Sequence, residues 1–146
     1  EEEGDFDRAA ARYEEAIARD APSGKSWIRL ALVRARTDWK TGVRTLEELT
    51  PEGSLIGMTG GGVEGYFIRG RTIVNLDGLI NSEAYYRSLT GGRAAEFLDG
   101  MGLDYVYGNI YMLEVSEPYG DIFADRLELI HLETEEIGLY QYLPAP

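Results

Sequence analysis

Three short apolar runs constrain this chain most: SLIGMTG at 54–60, RTIVNLD at 71–77 and LDYVYGN at 103–109. Each is shorter than an ordinary helix and ends beside glycine, which predicts buried strands. Between the first two runs, GGVEGYFIRG holds at most a short helix. Between the second and third, SEAYYRSLTGGRAAEFLDGMG predicts a helix, or two short ones broken at Gly91-Gly92, with Ser82 as N-cap. Strand–helix–strand–helix–strand predicts an α/β fold, a small Rossmann-like three-layer sheet with parallel strands and right-handed crossovers. After a polar loop around SEPYGDIFAD, the alternating segments RLELIHLE and GLYQYLP predict a C-terminal antiparallel hairpin.

The first fifty residues have a different texture, so the expected division is 1–50, helical, and 51–146, a small α/β domain. GDFDRAAARYEEAIARDAP places Phe6, Ala9, Ala10, Tyr13, Ala16 and Ile17 near one face and stops at Pro22. SGKSWIRLALVRAR and TDWKTGVRTLEELTPEG repeat the theme, the latter with Trp39, Val43, Leu46 and Leu49 inward. Gly4-Asp5-Phe6 and Thr37-Asp38-Trp39 stand 33 residues apart, close to the ~34-residue tetratricopeptide period. The segment therefore reads as a tetratricopeptide-like helical hairpin. The plainer reading is three amphipathic helices from an alanine-, arginine- and glutamate-rich sequence.

Charge narrows the partners. Fourteen basic against 26 acidic residues give a net charge of −12, which repels phosphate backbones and anionic membrane surfaces. No basic stripe with interleaved aromatics is present, so nucleic acid is not an expected partner. The absence of cysteine removes disulfides, thiolate metal sites and cysteine nucleophiles. No apolar run approaches the ~18–20 residues of a spanning helix. The opening EEEGDFD is no signal peptide, and the chain reads as a piece of a longer protein.

Gly60, Gly62 and Gly65 fit G-x-G-x-x-G, and Asp77 ends the next apolar run, as in a dinucleotide-binding turn. That turn needs a helix of several turns aimed at the pyrophosphate. The six residues YFIRGR leave room for little more than one turn, and Gly70 breaks it. The glycines therefore read as a tight strand-to-helix turn, and no cofactor is assigned. Asn75, Asp77 and Asn81 form a candidate ligand-contact group at a strand's carboxyl end, with Tyr66 of the GYF segment beside them. Their plainer role is to cap turns and the following helix.

Other constellations carry less. Carboxylate pairs such as Glu114 with Glu117 and Asp121 with Asp125 are expected by chance in so acidic a chain. SEPYGDIFAD lacks the ligand alternation of a calcium loop. The single histidine, His131, has no histidine or cysteine near it and stands alone as a metal ligand. No serine occupies a G-x-S-x-G elbow. No catalytic or metal residue is assigned. Tyr105, Tyr107, Tyr111, Tyr140 and Tyr142 offer a face for stacking on sugars, though aromatics favour strands in any case.

The stretch from Trp39 to Tyr107 resembles the soluble, extracytoplasmic C-terminal domains of polytopic dolichyl- or polyprenyl-phosphate-sugar-dependent glycosyltransferase-like membrane proteins. The resemblance is carried by W-x-x-G-x-x-x-L-x-x-x-T-P (Trp39, Gly42, Leu46, Thr50, Pro51) and by Gly65-Tyr66-Phe67. It continues through VNLDGLIN (Val74 to Asn81), its most specific part, to GGRAAEFLDGMGLDYVY. About half the chain is covered. The resemblance implies a non-catalytic accessory domain outside the membrane, because the transfer chemistry of such proteins sits in their membrane-embedded part. It implies the rest of a membrane protein as partner, with a glycan or a polypeptide acceptor as possible contacts. A transmembrane helix is expected before WKTG, and a charged helical region stands there instead. Two competing expectations follow: a helical-repeat scaffold that self-associates, cytoplasmic in that case, and a nucleotide-binding enzyme domain.

Overall fold

The computed structural model describes residues 40–78 and 81–145. The segment before residue 40, Trp39 included, where tetratricopeptide-like helices are expected, lies outside the described residues. The chain divides into two units, Glu1–Arg44 and Thr45–Pro146. The second is a mixed α/β unit built on a five-stranded sheet.

Helix α1 is described over residues 40–49 and stops before Pro51, which cannot continue it. Leu46 is fully buried, while Leu49, expected inward, is exposed. The last carbonyls of α1 are held by Arg71, whose Nη2 donates to Glu47 O at 2.6 Å and to Thr50 O. A cation at a helix C-terminus meets the carbonyls that have no intrahelical partner.

The three apolar runs form β1 (Leu55–Met58), β2 (Thr72–Asn75) and β3 (Tyr105–Asn109). GVEGYF forms the six-residue helix α2, Gly62–Phe67. The long helical stretch is split, as its glycines require, into α3 (Glu83–Thr90) and α4 (Ala94–Met101). Ser82 Oγ accepts from Tyr85 N at 3.1 Å, the expected N-cap. Two segments differ from expectation. Residues just beyond the expected third strand, and those of the expected polar loop, form helices α5 (Ile110–Glu114) and α6 (Tyr119–Phe123). Tyr119, Ile122 and Phe123 are buried, and their i, i+3, i+4 spacing is a helical face hidden among polar neighbours. The chain ends in the antiparallel pair β4 (Leu127–Leu132) and β5 (Ile137–Tyr142).

The strand order is β2-β1-β3-β5-β4. β1 pairs in parallel with both β2 and β3, and β5 joins β3 antiparallel, Tyr107 facing Leu139. Strand alternation sends Val74, Val106, Tyr140 and Tyr142 to a core shared with Leu98, Leu113 and Phe123 of the helices. The alternate set, Ile56, Met58, Tyr107 and Leu139, packs with Leu46 of α1. The strands are thus apolar on both faces, as buried parallel strands are.

Arg126, just before β4, ties the hairpin to α4. Its Nη1 lies 3.0 and 2.9 Å from the two Asp99 oxygens, and Tyr142 Oη donates to Asp99 Oδ1 at 2.7 Å. Burial alone would raise the Asp99 carboxyl, but the Tyr142 and Arg126 hydrogen bonds and the guanidinium charge hold it below its ordinary value. A depressed folded pKa means that the unfolded chain takes up the proton first. The stability from this carboxylate is therefore complete above the ordinary carboxylate pKa and is lost as pH falls through the folded value. Asp99→Asn is expected to lower the urea midpoint at neutral pH and to flatten its decline between neutral and acid pH. An unchanged acid slope would show that the cluster contributes nothing.

Candidate functional site

Parallel strands present their carboxyl ends on one edge, and a reversal of strand order there opens a crevice. β2 lies on one side of β1 and β3 on the other, so the reversal falls between β1 and β3. Residues Thr59 to Gly62 follow β1, and Asn109 closes β3. The two ends adjoin: a Cβ built on Gly108 would stand 3.7 Å from Thr59 Oγ1.

Asn75, Asp77 and Asn81 are brought together at this edge. Asp77 N donates to Asn75 Oδ1 at 3.1 Å, and Asn75 Nδ2 to Asp77 Oδ2 at 3.3 Å. Asn81 Nδ2 donates to Asn75 O at 2.7 Å, and Asn81 Oδ1 accepts from Ser82 N. The carboxylate is committed on both oxygens. Oδ2 accepts Gly60 N at 2.7 Å, which fixes the turn after β1, and Oδ1 accepts Tyr119 Oη at 3.0 Å from α6. Asp77 is thus a clamp across β2, the β1 turn and a segment 42 residues on. Two tyrosines complete the surroundings. Burial first, and then the Asp77 hydrogen bond, keeps the Tyr119 phenol well above its ordinary pKa. Tyr85 Oη donates to Leu76 O at 3.0 Å, and burial followed by the Asp77 charge pushes it up to about 12. Tyr119 was missed because its segment read as polar; its helical spacing with Ile122 and Phe123 was the available signal.

Tyr66 does not join this group. It is 81% exposed on α2 and packs edge-on against Phe67, ring centroids 4.9 Å apart. No hydrogen bond or ring contact among the described residues links it to Asp77. The tyrosine face is also not assembled. Tyr107 packs on one side of the sheet, Tyr140 and Tyr142 on the other, and all three are buried.

An open cleft lies next to the crevice, at the end of β3. It has a volume of about 480 Å³ and lies between α5 and the β4–β5 turn. Asn109, Tyr111, Glu114, Val115, Glu135 and Glu136 line it. The sequence builds it economically: Asn109 ends β3 and immediately caps α5, Oδ1 accepting Met112 N at 3.0 Å. Ile110 N donates to Glu136 O at 2.8 Å, which closes the floor between helix and hairpin. Tyr111 is 68% exposed, the one tyrosine of the expected stacking set that reaches solvent to that degree. Glu114 also holds the Tyr140 hydroxyl; burial, then the Glu114 charge, raises that phenol.

The chain matches no family model, no curated protein and no solved structure. Among the described residues, no group of three or more acidic or histidine side chains is arranged to hold a metal ion. No helix among them is long and apolar enough to cross a membrane. At this edge the side chains offer hydrogen bonding by carboxylates and an amide around one exposed ring.

Proposed function

We propose that this chain is a non-catalytic accessory domain, with a Rossmann-like three-layer sheet, of a glycosyltransferase-like membrane protein. Its place in this reading is the extracytoplasmic side, and it contacts glycan through the cleft between α5 and the β4–β5 turn. One observation carries the non-catalytic half. Asp77, the carboxylate standing where α/β enzymes place reactive groups, has both oxygens occupied by bonds that hold the fold together. A second supports the sugar half. Tyr111 offers a ring to the apolar face of a sugar, while Asn109, Glu114, Glu135 and Glu136 offer partners to its hydroxyls.

The test is titration of the full chain with a set of neutral oligosaccharides, followed by NMR. Shifts confined to residues 109–115 and 133–136 are expected. Tyr111→Ala is expected to weaken binding on the order of tenfold, one aromatic contact's worth, with no change in the urea midpoint. Shifts elsewhere, or undiminished binding by the variant, would remove the cleft from the proposal. The reading frame that holds the chain is further expected to encode several apolar spans of ~20 residues.

A further inference from the structure

The outer edge of β4 is a surface of another kind. β4 stands last in the strand order, so one side of its backbone has no neighbouring strand among the described residues. The ladder with β5 shows which groups face out. Arg126 O accepts Leu143 N at 2.8 Å, and Glu133 N donates to Ile137 O at 2.9 Å. Antiparallel partners alternate between bonded and non-bonded pairs. Leu127, opposite Tyr142, and Leu129, opposite Tyr140, are therefore in non-bonded pairs, as is Leu132, opposite Gly138. Tyr142 agrees with this phase, since it turns its N–H away to Asp104 O, at 2.9 Å, beside β3. The N–H and C=O groups of Leu127, Leu129 and Leu132 point outward.

The side chains of β4 are sorted by a bulge. The register shifts between Leu129 and His131. Directly opposed residues share a face, so Leu127, Leu129 and Leu132 all lie on the face of Gly138, Tyr140 and Tyr142. A Cβ built on Gly138 would meet Leu129 Cδ1 at 3.2 Å and Tyr140 Cε2 at 3.0 Å, which places that leucine over the glycine. Glu128, opposite Gln141, and His131, opposite Leu139, lie on the other face, and Glu133 follows on that side through its bond to Ile137. Without the extra residue, Leu132 would fall among the glutamates. The result is an apolar row on one face and Glu128, His131 and Glu133 on the other. Leu129 and Leu132 remain 49% exposed, and Ile130 43%.

We propose that β4 docks an extended segment of a partner protein in which basic and apolar residues alternate, added as a sixth strand. Its apolar side chains continue the leucine row, and its lysines or arginines meet Glu128 and Glu133. Charge selects this occupant over a second copy of the chain. A β4–β4 pair would set the Glu128 and Glu133 rows of two molecules side by side, each molecule carrying a net charge of −12. The charges that keep copies apart attract a basic strand. Strand addition draws affinity from the backbone and specificity from alternate side chains. This inference does not rest on the glycan reading, which concerns the cleft between α5 and the β4–β5 turn, at the end of β4 nearest Glu133.

The probe is a synthetic peptide of alternating lysine and valine, added to the full chain, against a peptide of the same composition in blocks and an alternating glutamate–valine peptide. Amide hydrogen exchange at Leu127, Leu129 and Leu132 is expected to slow on addition of the alternating basic peptide alone. Glu128→Lys, an exposed change, is expected to weaken that peptide on the order of tenfold. Equal binding by the block peptide, or binding without protection of those three amides, would overturn the proposal. So would sedimentation of the unliganded chain as a dimer with the same amides protected, which would make a second copy the occupant.

Discussion

Asp77→Ala is expected to destabilise the chain by about 2–3 kcal/mol, because it removes one group that accepts from three separate segments. The Gly60 N–H, the Asn75 amide and the buried Tyr119 hydroxyl all lose their acceptor. Gly60 and Asn75 recover part of the loss from water. Tyr119 recovers little, its one other acceptor being Leu76 O at a marginal 3.5 Å. Asp77→Asn keeps the shape and one acceptor oxygen but turns an amide donor toward one of the existing donors, so an intermediate loss is expected. Tyr119→Phe alone is expected to cost about 1 kcal/mol, and the double variant less than the sum, since the two residues share a bond. Urea unfolding of the parent and the four variants measures this. The result separates clamp from active-site residue. A reactive carboxylate is held against the interest of the fold, and its removal commonly leaves stability unchanged or improved. An Asp77→Ala protein as stable as the parent would reverse the non-catalytic reading.

The second large effect is expected in the glycine turn. Gly61→Ala should cost about 1–3 kcal/mol, the ordinary range for overpacking. The new methyl would stand 2.7 Å from Met58 Cβ and 2.8 Å from Ile73 Cγ2. Both atoms lie close to strand backbones and cannot swing aside. Gly62→Ala meets nothing within 4 Å and begins α2, so it should be neutral or stabilising by up to about 1 kcal/mol. Gly60, at φ +66°, needs glycine for its backbone alone. This order reports how the turn packs on β1 and β2; a pyrophosphate turn would need its second glycine, here Gly62, bare for the ligand and not for the fold. Thermal or urea midpoints of the two variants measure the packing order. Saturable binding of NAD(H) by the parent chain, lost in Gly62→Ala, would bring the nucleotide reading back.

Much of the α/β unit was legible because its strands are short apolar runs whose borders are glycines. α3 and α4 were legible for the complementary reason, a long period broken by Gly91-Gly92. The failures have a common cause. α5 and α6 have five residues each, less than two turns, so their periodicity is too short to register against Glu114, Glu117 and Asp121. Missing α6 also hid Tyr119 and thereby the reason for Asp77. Position in the sequence suggested that Asn75, Asp77 and Asn81 cluster, and they do. Whether a carboxylate at a strand end is free or committed depends on a partner 42 residues away, which no local pattern carries. Tyr66 stands apart from that cluster, exposed on the short helix α2. The bulge in β4 is invisible in RLELIHLE, where strict alternation would have put Leu132 beside Glu128.

Asn109 ends a strand and caps a helix with no residue between. A residue inserted there would turn α5 by about 100° and lift it by about 1.5 Å. Tyr111 and Glu114 would leave the cleft together, and the bond from Ile110 to Glu136 would break. Length variation is therefore shut out of this wall and admitted only across the gap, at residues 133–136. In a lineage that keeps this junction, ligand preference can change by lengthening the hairpin tip while the helical wall stays in place.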